Sequence, residues 1–110
     1  MNNQISVKAI LTLAGFDGTG GAGISPDIKI CSHLNIPNLS VITCLVIQNP
    51  VAVKEFIPID LEIIKKQILI LQNYYDIQIV NIGLLGSLDI LDFVIPLFEK
   101  IKIIWDPILS

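Results

Sequence analysis

Four short stretches of this 110-residue chain carry residue types that bind or transform small molecules. Gly15-Phe16-Asp17-Gly18-Thr19-Gly20-Gly21-Ala22-Gly23 packs five glycines into nine residues. Gln48-Asn49-Pro50 offers two carboxamides, Gly83-Leu84-Leu85-Gly86 a second glycine-flanked loop, and Asp106-Pro107 a carboxylate. Three chemistries compete for the first stretch. Gly18, Gly20 and Gly23 match the G-x-G-x-x-G spacing of a dinucleotide-binding turn, whose backbone N–H groups meet a pyrophosphate. That turn also wants an acidic residue about 20 positions on, at the end of the next strand, to hold a ribose. Gln48 and Asn49 stand there instead, so an oxidoreductase is disfavoured and no NAD binding is expected. A phosphate-gripping P-loop requires Gly-Lys-Ser/Thr, which is absent. The remaining chemistry is close approach of bare backbone to a small polar substrate, where glycine removes the obstructing Cβ. A tight turn alone accounts for one or two glycines, not five.

Positioning these stretches falls to four apolar runs: Val7 to Ala14, Leu39 to Ile47, Ile77 to Ile82 and Ile101 to Trp105. Their near-continuous hydrophobicity predicts strands covered on both faces of a parallel sheet. Helical spacing fills the intervals. From Asp60 to Tyr75, Leu61, Ile64, Ile68 and Leu71 recur every three or four residues. Glu62, Lys65, Lys66, Gln72 and Asn73 take the other, solvated side, with Asp60 as N-cap. Ser87 is expected to cap a further helix through Leu88, Leu91 and Phe98, kinked or shortened by Pro96. An earlier helix is expected over Ile24 to Leu34, with Ser25-Pro26-Asp27 as N-cap, first residue and acidic first turn. Val51 to Pro58 stands outside the alternation, as an edge strand or flap. The order implies right-handed crossovers and a layered α/β sheet. Ligands of such sheets bind outside the carboxyl ends of the strands, the edge on which all four stretches fall.

Composition narrows the classes further. The chain is 53% hydrophobic and 15% charged, with a net charge of −3, as suits one small folded domain rather than a disordered segment. Its seven cations are all lysines and are outnumbered by acids, which argues against nucleic-acid binding. No apolar run reaches the roughly 18 residues of a spanning helix, so no membrane partner is expected. Met1-Asn2-Asn3-Gln4 is polar and unlike a secretory signal, and two cysteines make no disulfide framework. A cytoplasmic location is the expectation. Cys31 and Cys44 read as packing residues, Trp105 as core, and His33 as a helix C-terminal residue without metal-ligand company.

Ala14-Gly15-Phe16-Asp17-Gly18-Thr19-Gly20-Gly21-Ala22-Gly23-Ile24, followed by Asp27-Ile28-Lys29, resembles the opening motif of the hydroxymethylpyrimidine/phosphomethylpyrimidine kinases. These are ribokinase-like enzymes of thiamine biosynthesis. Ser40-Val41-Ile42-Thr43 and Val46-Ile47-Gln48-Asn49 are similar to the family's second strand and its pyrimidine-reading glutamine. Ile82-Gly83-Leu84-Leu85-Gly86 resembles the next loop, and Trp105-Asp106-Pro107-Ile108 the Asp-Pro strand end. The resemblance is collinear over almost the whole chain.

It implies a three-layer ribokinase-like α/β fold with a mainly parallel sheet, of which residues 1–110 form the N-terminal, substrate-binding part. Gln48 would hydrogen-bond the aminopyrimidine edge, with Gly15, Asp27, Val46, Leu84 and Ile108 lining the same pocket and Asp106 on the phosphate and magnesium side. The implied reaction is ATP-dependent phosphorylation of 4-amino-5-hydroxymethyl-2-methylpyrimidine and its monophosphate, with ATP and Mg2+ as cofactors. The family's Gly-x-Gly-Asp anion hole, its aspartate base and most of the ATP pocket would lie beyond residue 110. No catalytic residue is therefore assigned within the chain, which is expected to be an N-terminal fragment or truncated product, inactive alone. A homodimer is implied for the full length. Phe16 replaces a small serine-like residue, and its ring would narrow the pocket or change the ring accepted. Ser25-Pro26, Leu84 and Pro50 also depart from the usual pattern. The alternatives are a pyridoxal-type kinase of the same fold and a non-catalytic pyrimidine-binding module. Without the resemblance, Gln48 and Asn49 read as residues closing a turn.

Overall fold

The structure, a computed structural model, describes residues 7–17, 36–49 and 51–105. The helix expected over residues 24–34, with Asp27, Cys31 and His33, lies outside them, as do Asp106 and Ile108. The apolar runs form β1 (Val7–Asp17), β2 (Asn38–Gln48), β4 (Tyr75–Ile82) and β5 (Lys102–Trp105), and Val53–Pro58 forms β3. Two helices intervene, α1 (Leu61–Tyr74) and α2 (Asp89–Leu97). The sheet order is β3-β2-β1-β4-β5. β1 runs parallel to β2 and β4, and β4 to β5, while β3 returns antiparallel along β2 as an edge strand. This is the mainly parallel α/β sheet that the near-continuous apolar runs predict.

Local chemistry sets the helix ends. Asp60 Oδ1 accepts the Glu62 N–H at 2.9 Å, and the Asp60 carbonyl takes the first helical bonds from Ile63 and Ile64. At the far end the Tyr75 N–H bonds the Leu71 carbonyl while Tyr75 is already extended, so α1 passes into β4 without a loop. For α2 the boundary is one residue later than expected. Leu88 occupies the N-cap position, and Ser87 Oγ accepts the Asp89 N–H from one residue further out at 3.3 Å. Pro96 sits in the last turn, and the helix ends at Leu97.

α1 and α2 cover one face of the sheet. Ile64 and Ile68 from α1, Ile90 and Val94 from α2, and Phe98 beyond it are buried against Leu11, Leu13, Val41, Val80 and Ile82. Lys65 does not stand in solvent as expected. It pairs with Glu62 at 3.3 Å and lies 5.5 Å from the Phe93 ring centroid, bridging the two helices. Trp105, expected in the core, ends β5, the outermost strand among the described residues, and is 45% exposed in this chain. On the face away from the helices, Thr12 donates to Asn38 Oδ1 at 3.0 Å. Asn81, level with Thr12 across the ladder, is buried, and among the described residues its Oδ1 has no partner.

The strand order decides where a ligand would sit. From β1 the chain moves to β2 on one side, yet the next parallel strand, β4, lies on the other. Such a reversal opens a crevice at the carboxyl ends of the strands beside it. β1 ends at Asp17 and β4 at Ile82, just before Gly83-Leu84-Leu85-Gly86.

Candidate functional site

At the carboxyl end of β1, Gly15 faces three side chains from two other elements. A Cβ built on Gly15 would lie 2.9 Å from Cys44 Sγ, 3.2 Å from Leu84 Cδ2 and 3.3 Å from Val46 Cγ2. Three residues expected in one pocket, Gly15, Val46 and Leu84, therefore converge although they lie far apart along the chain. The absent side chain at Gly15 is what lets β1 and these neighbours meet.

The loop after β4 is held just as closely. Its first amide continues the ladder, Gly83 N–H donating to the Leu13 carbonyl at 2.8 Å. Thr43, fully buried on β2, donates its hydroxyl to the Leu84 carbonyl at 2.6 Å. Gly86 turns the chain at φ +74°, where a Cβ would meet Cys44 Cβ at 2.9 Å. Here glycine answers both a left-handed backbone and a lack of room. Cys44 thus packs against both Gly15 at the end of β1 and Gly86 in the loop after β4, the buried packing role read from the sequence. Its thiol is fully buried, and burial pushes its pKa up from the ordinary value; hydrogen bonding with the Thr43 side chain offsets part of that.

Two carboxamides stand at the end of β2. Asn49 closes the β2–β3 turn: its Oδ1 accepts the Val51 and Ala52 N–H groups at 2.8 and 3.0 Å. Gln48 is the last residue of β2 and half-buried. Two residues beyond Val46 and four beyond Cys44, it shares their face of the strand. Phe16 belongs to the other face, level with Leu45 in the ladder, and is 55% exposed. Its ring consequently does not narrow the space at Gly15, contrary to the expectation from sequence. Asp27, Asp106 and Ile108 lie outside the described residues. Among the described residues, no group of three or more His, Cys, Asp or Glu could hold a metal ion, so these residues offer magnesium no ligand set.

Thr43 and Cys44 are the site residues that sequence reasoning missed. The only signal available was a hydroxyl and a thiol side by side within an aliphatic run.

A model of the phosphomethylpyrimidine kinase family matches residues 17–110. The chain belongs to this family. Hydroxymethylpyrimidine/phosphomethylpyrimidine kinase of Aquifex aeolicus (strain VF5) is 35% identical to it over 101 residues, covering 89% of this chain and 40% of that protein. The enzyme of the same description from Haemophilus influenzae is 37% identical over 89 residues, covering 81% and 33%. Among solved structures, the phosphomethylpyrimidine kinase of Clostridium difficile 630 superposes with a TM-score of 0.77 at 33% identity, covering 92% of this chain and 48% of that one. Pyridoxal kinase of Bacillus subtilis, solved with ADP, gives 0.75 at 27% identity, covering 96% and 41%. This member of the phosphomethylpyrimidine kinase family therefore has the α/β fold of ribokinase-like vitamin kinases and spans less than half the length of these relatives.

Proposed function

We propose that the chain supplies the pyrimidine-binding part of an ATP-dependent kinase acting on 4-amino-5-hydroxymethyl-2-methylpyrimidine and its monophosphate in thiamine biosynthesis. The observation that carries this reading is the convergence of Leu84 and Val46 on the bare backbone of Gly15 at the strand-order reversal. In this reading a flat ring would lie over the rim that these residues close, with Val46 and Leu84 giving it apolar surface. Gln48, on the face of Val46, presents one donor and one acceptor side by side, the complement of an amino group next to a ring nitrogen. In this reading the chain's own work is binding and orientation, on which phosphoryl transfer chiefly depends. Asp27 and Ile108 complete the lining, and Asp106 serves the phosphate and magnesium side. When bound, ATP would supply the phosphoryl group and Mg2+ would neutralise its charge. The base and most ATP contacts are assigned to family segments that this chain does not span, and the cytoplasm is its proposed site of action.

The test is calorimetric titration of the chain with the hydroxymethylpyrimidine and, separately, pyridoxal. Micromolar pyrimidine binding, lost in Gln48→Ala, is the expected result. The likeness to the pyridoxal kinase of Bacillus subtilis favours one second reading, a pyridoxal-type kinase. Binding of pyridoxal with no binding of the pyrimidine would establish that alternative and reject the first. Pyrimidine binding without phosphorylation on adding MgATP would mark the isolated chain as a binding module.

A further inference from the structure

The ladder between β1 and β2 slips by one residue at the level of the site. Ala14 pairs with Ile42, but Gly15 pairs with Cys44, leaving Thr43 as the extra residue of a β-bulge. The slip has a consequence for every residue after it. Val41 and Leu13 share the helix-covered face, so an unbroken β2 would bring residues 43, 45 and 47 to the face of Gly15. With the bulge, Cys44 and Val46 take that face, as their contacts with Gly15 show, and Gln48 follows them in alternation. Leu45 and Ile47 turn the other way and are partly exposed.

A bulge of this kind persists only where something holds the displaced residue, and Thr43 is held from two directions. Its carbonyl accepts the Ile59 N–H at 3.0 Å, beside the start of α1. Its hydroxyl donates to the Leu84 carbonyl at 2.6 Å, a contact between residues 41 apart in sequence. Thr43 is fully buried, so neither bond has water as a substitute. We propose that Thr43 is a positioning residue for the aminopyrimidine site: its hydroxyl locks the Leu84 loop to the bulge that turns Val46 and Gln48 toward Gly15. This role rests on the function proposed above.

The experiment compares Thr43→Val with Thr43→Ser in the full chain, by calorimetry with the hydroxymethylpyrimidine and by amide hydrogen exchange at Leu84 to Gly86. Valine keeps the shape and removes the donor; serine keeps the donor. Thr43→Val is expected to weaken binding about tenfold, with faster exchange in the loop, while Thr43→Ser stays within about threefold of the parent. Ile68→Val, a core change on α1 that removes no hydrogen bond, is expected to lower stability and leave the affinity unchanged. If Thr43→Val does not fold, Thr43→Ala against Thr43→Ser isolates the same hydroxyl. A parent chain that binds, with a hydroxyl-free variant that binds equally well, overturns the role of Thr43 alone. A serine variant as impaired as the hydroxyl-free one overturns it too. A parent chain that does not bind the pyrimidine overturns the functional reading and this role with it.

Discussion

Beneath α1 and α2 the sheet is filled: Phe98, Ile64, Ile68, Ile90 and Val94 press onto Leu11, Leu13 and Val80, all essentially without exposure. At the carboxyl ends of β1 and β4 the same sheet is closed by leaving side chains out rather than by adding volume. Gly15 and Gly86 withdraw their side chains around Cys44, and a buried hydroxyl ties the loop to the strand. The first region owes its stability to volume and tolerates a swap of similar size. The second owes its shape to missing atoms and directional bonds, and tolerates no addition. A binding rim can use this second kind of construction, because backbone contacts and directional bonds fix its outline without bulky side chains.

The contrast is broken most severely from the core side. Phe98→Ala removes the largest fully buried side chain and is expected to cost about 3–5 kcal/mol. Urea unfolding followed by circular dichroism would measure it. Phe98→Leu, which keeps most of the volume, should lose far less. If the two variants lost equal stability, the core would not be organised by volume as described.

The next test sharpens the rim. Gly86→Ala combines a left-handed backbone with a Cβ placed 2.9 Å from Cys44 Cβ, an atom that cannot swing aside. The expected loss is about 1–3 kcal/mol, by the cost of a non-glycine residue in that conformation. Gly83→Ala, three residues earlier, puts its Cβ 3.5 Å from Ala14 Cβ, an ordinary contact, and is expected to be near neutral. The pair shares one loop and one chemical change, so a difference in unfolding midpoint isolates the geometry. Equal midpoints would mean that the rim is not sterically set.

These two regions were unequally legible in the sequence. The core side was plain: aliphatic spacing through Ile64 and Ile68 and the cap at Asp60 gave α1, three strand runs needed only extension at their ends, and the fourth starts one residue later, at Lys102. The rim was legible as a gathering of glycines and carboxamides on one edge, but not in its detail. A nearly continuous apolar run carries no period-two signal, so it conceals which residues share a face. The bulge at Thr43 was invisible for that reason, and Phe16 was placed toward the pocket when it faces away. Gln48 and Asn49 are adjacent carboxamides with one apparent use, yet only hydrogen-bond geometry assigns the turn to Asn49. Trp105 was placed in the core by its type; in a chain spanning less than half its relatives' length it is 45% exposed on the outermost described strand.

The smallest effect concerns the atom on which the rim closes. Burial raises the pKa of Cys44 above its ordinary 9.0 in the folded chain, while unfolding exposes the thiol and restores that value. Between the two values the folded state holds a proton that the unfolded state has lost. Stability is therefore complete below about pH 9.0 and declines as pH rises through the folded value. Cys44→Ala removes that proton linkage and keeps a small residue under Gly15 and Gly86. Its unfolding free energy should consequently show a shallower alkaline decline than the parent, with the lysines and tyrosines common to both chains cancelling in the comparison. Unfolding midpoints from pH 7.5 to pH 10.5 in the two proteins would measure the difference (the range is about 1.5 units either side of the ordinary value). Parallel curves would show that Cys44 is not sealed beneath Gly15 and Gly86, and the close packing of the rim would have to be abandoned with it.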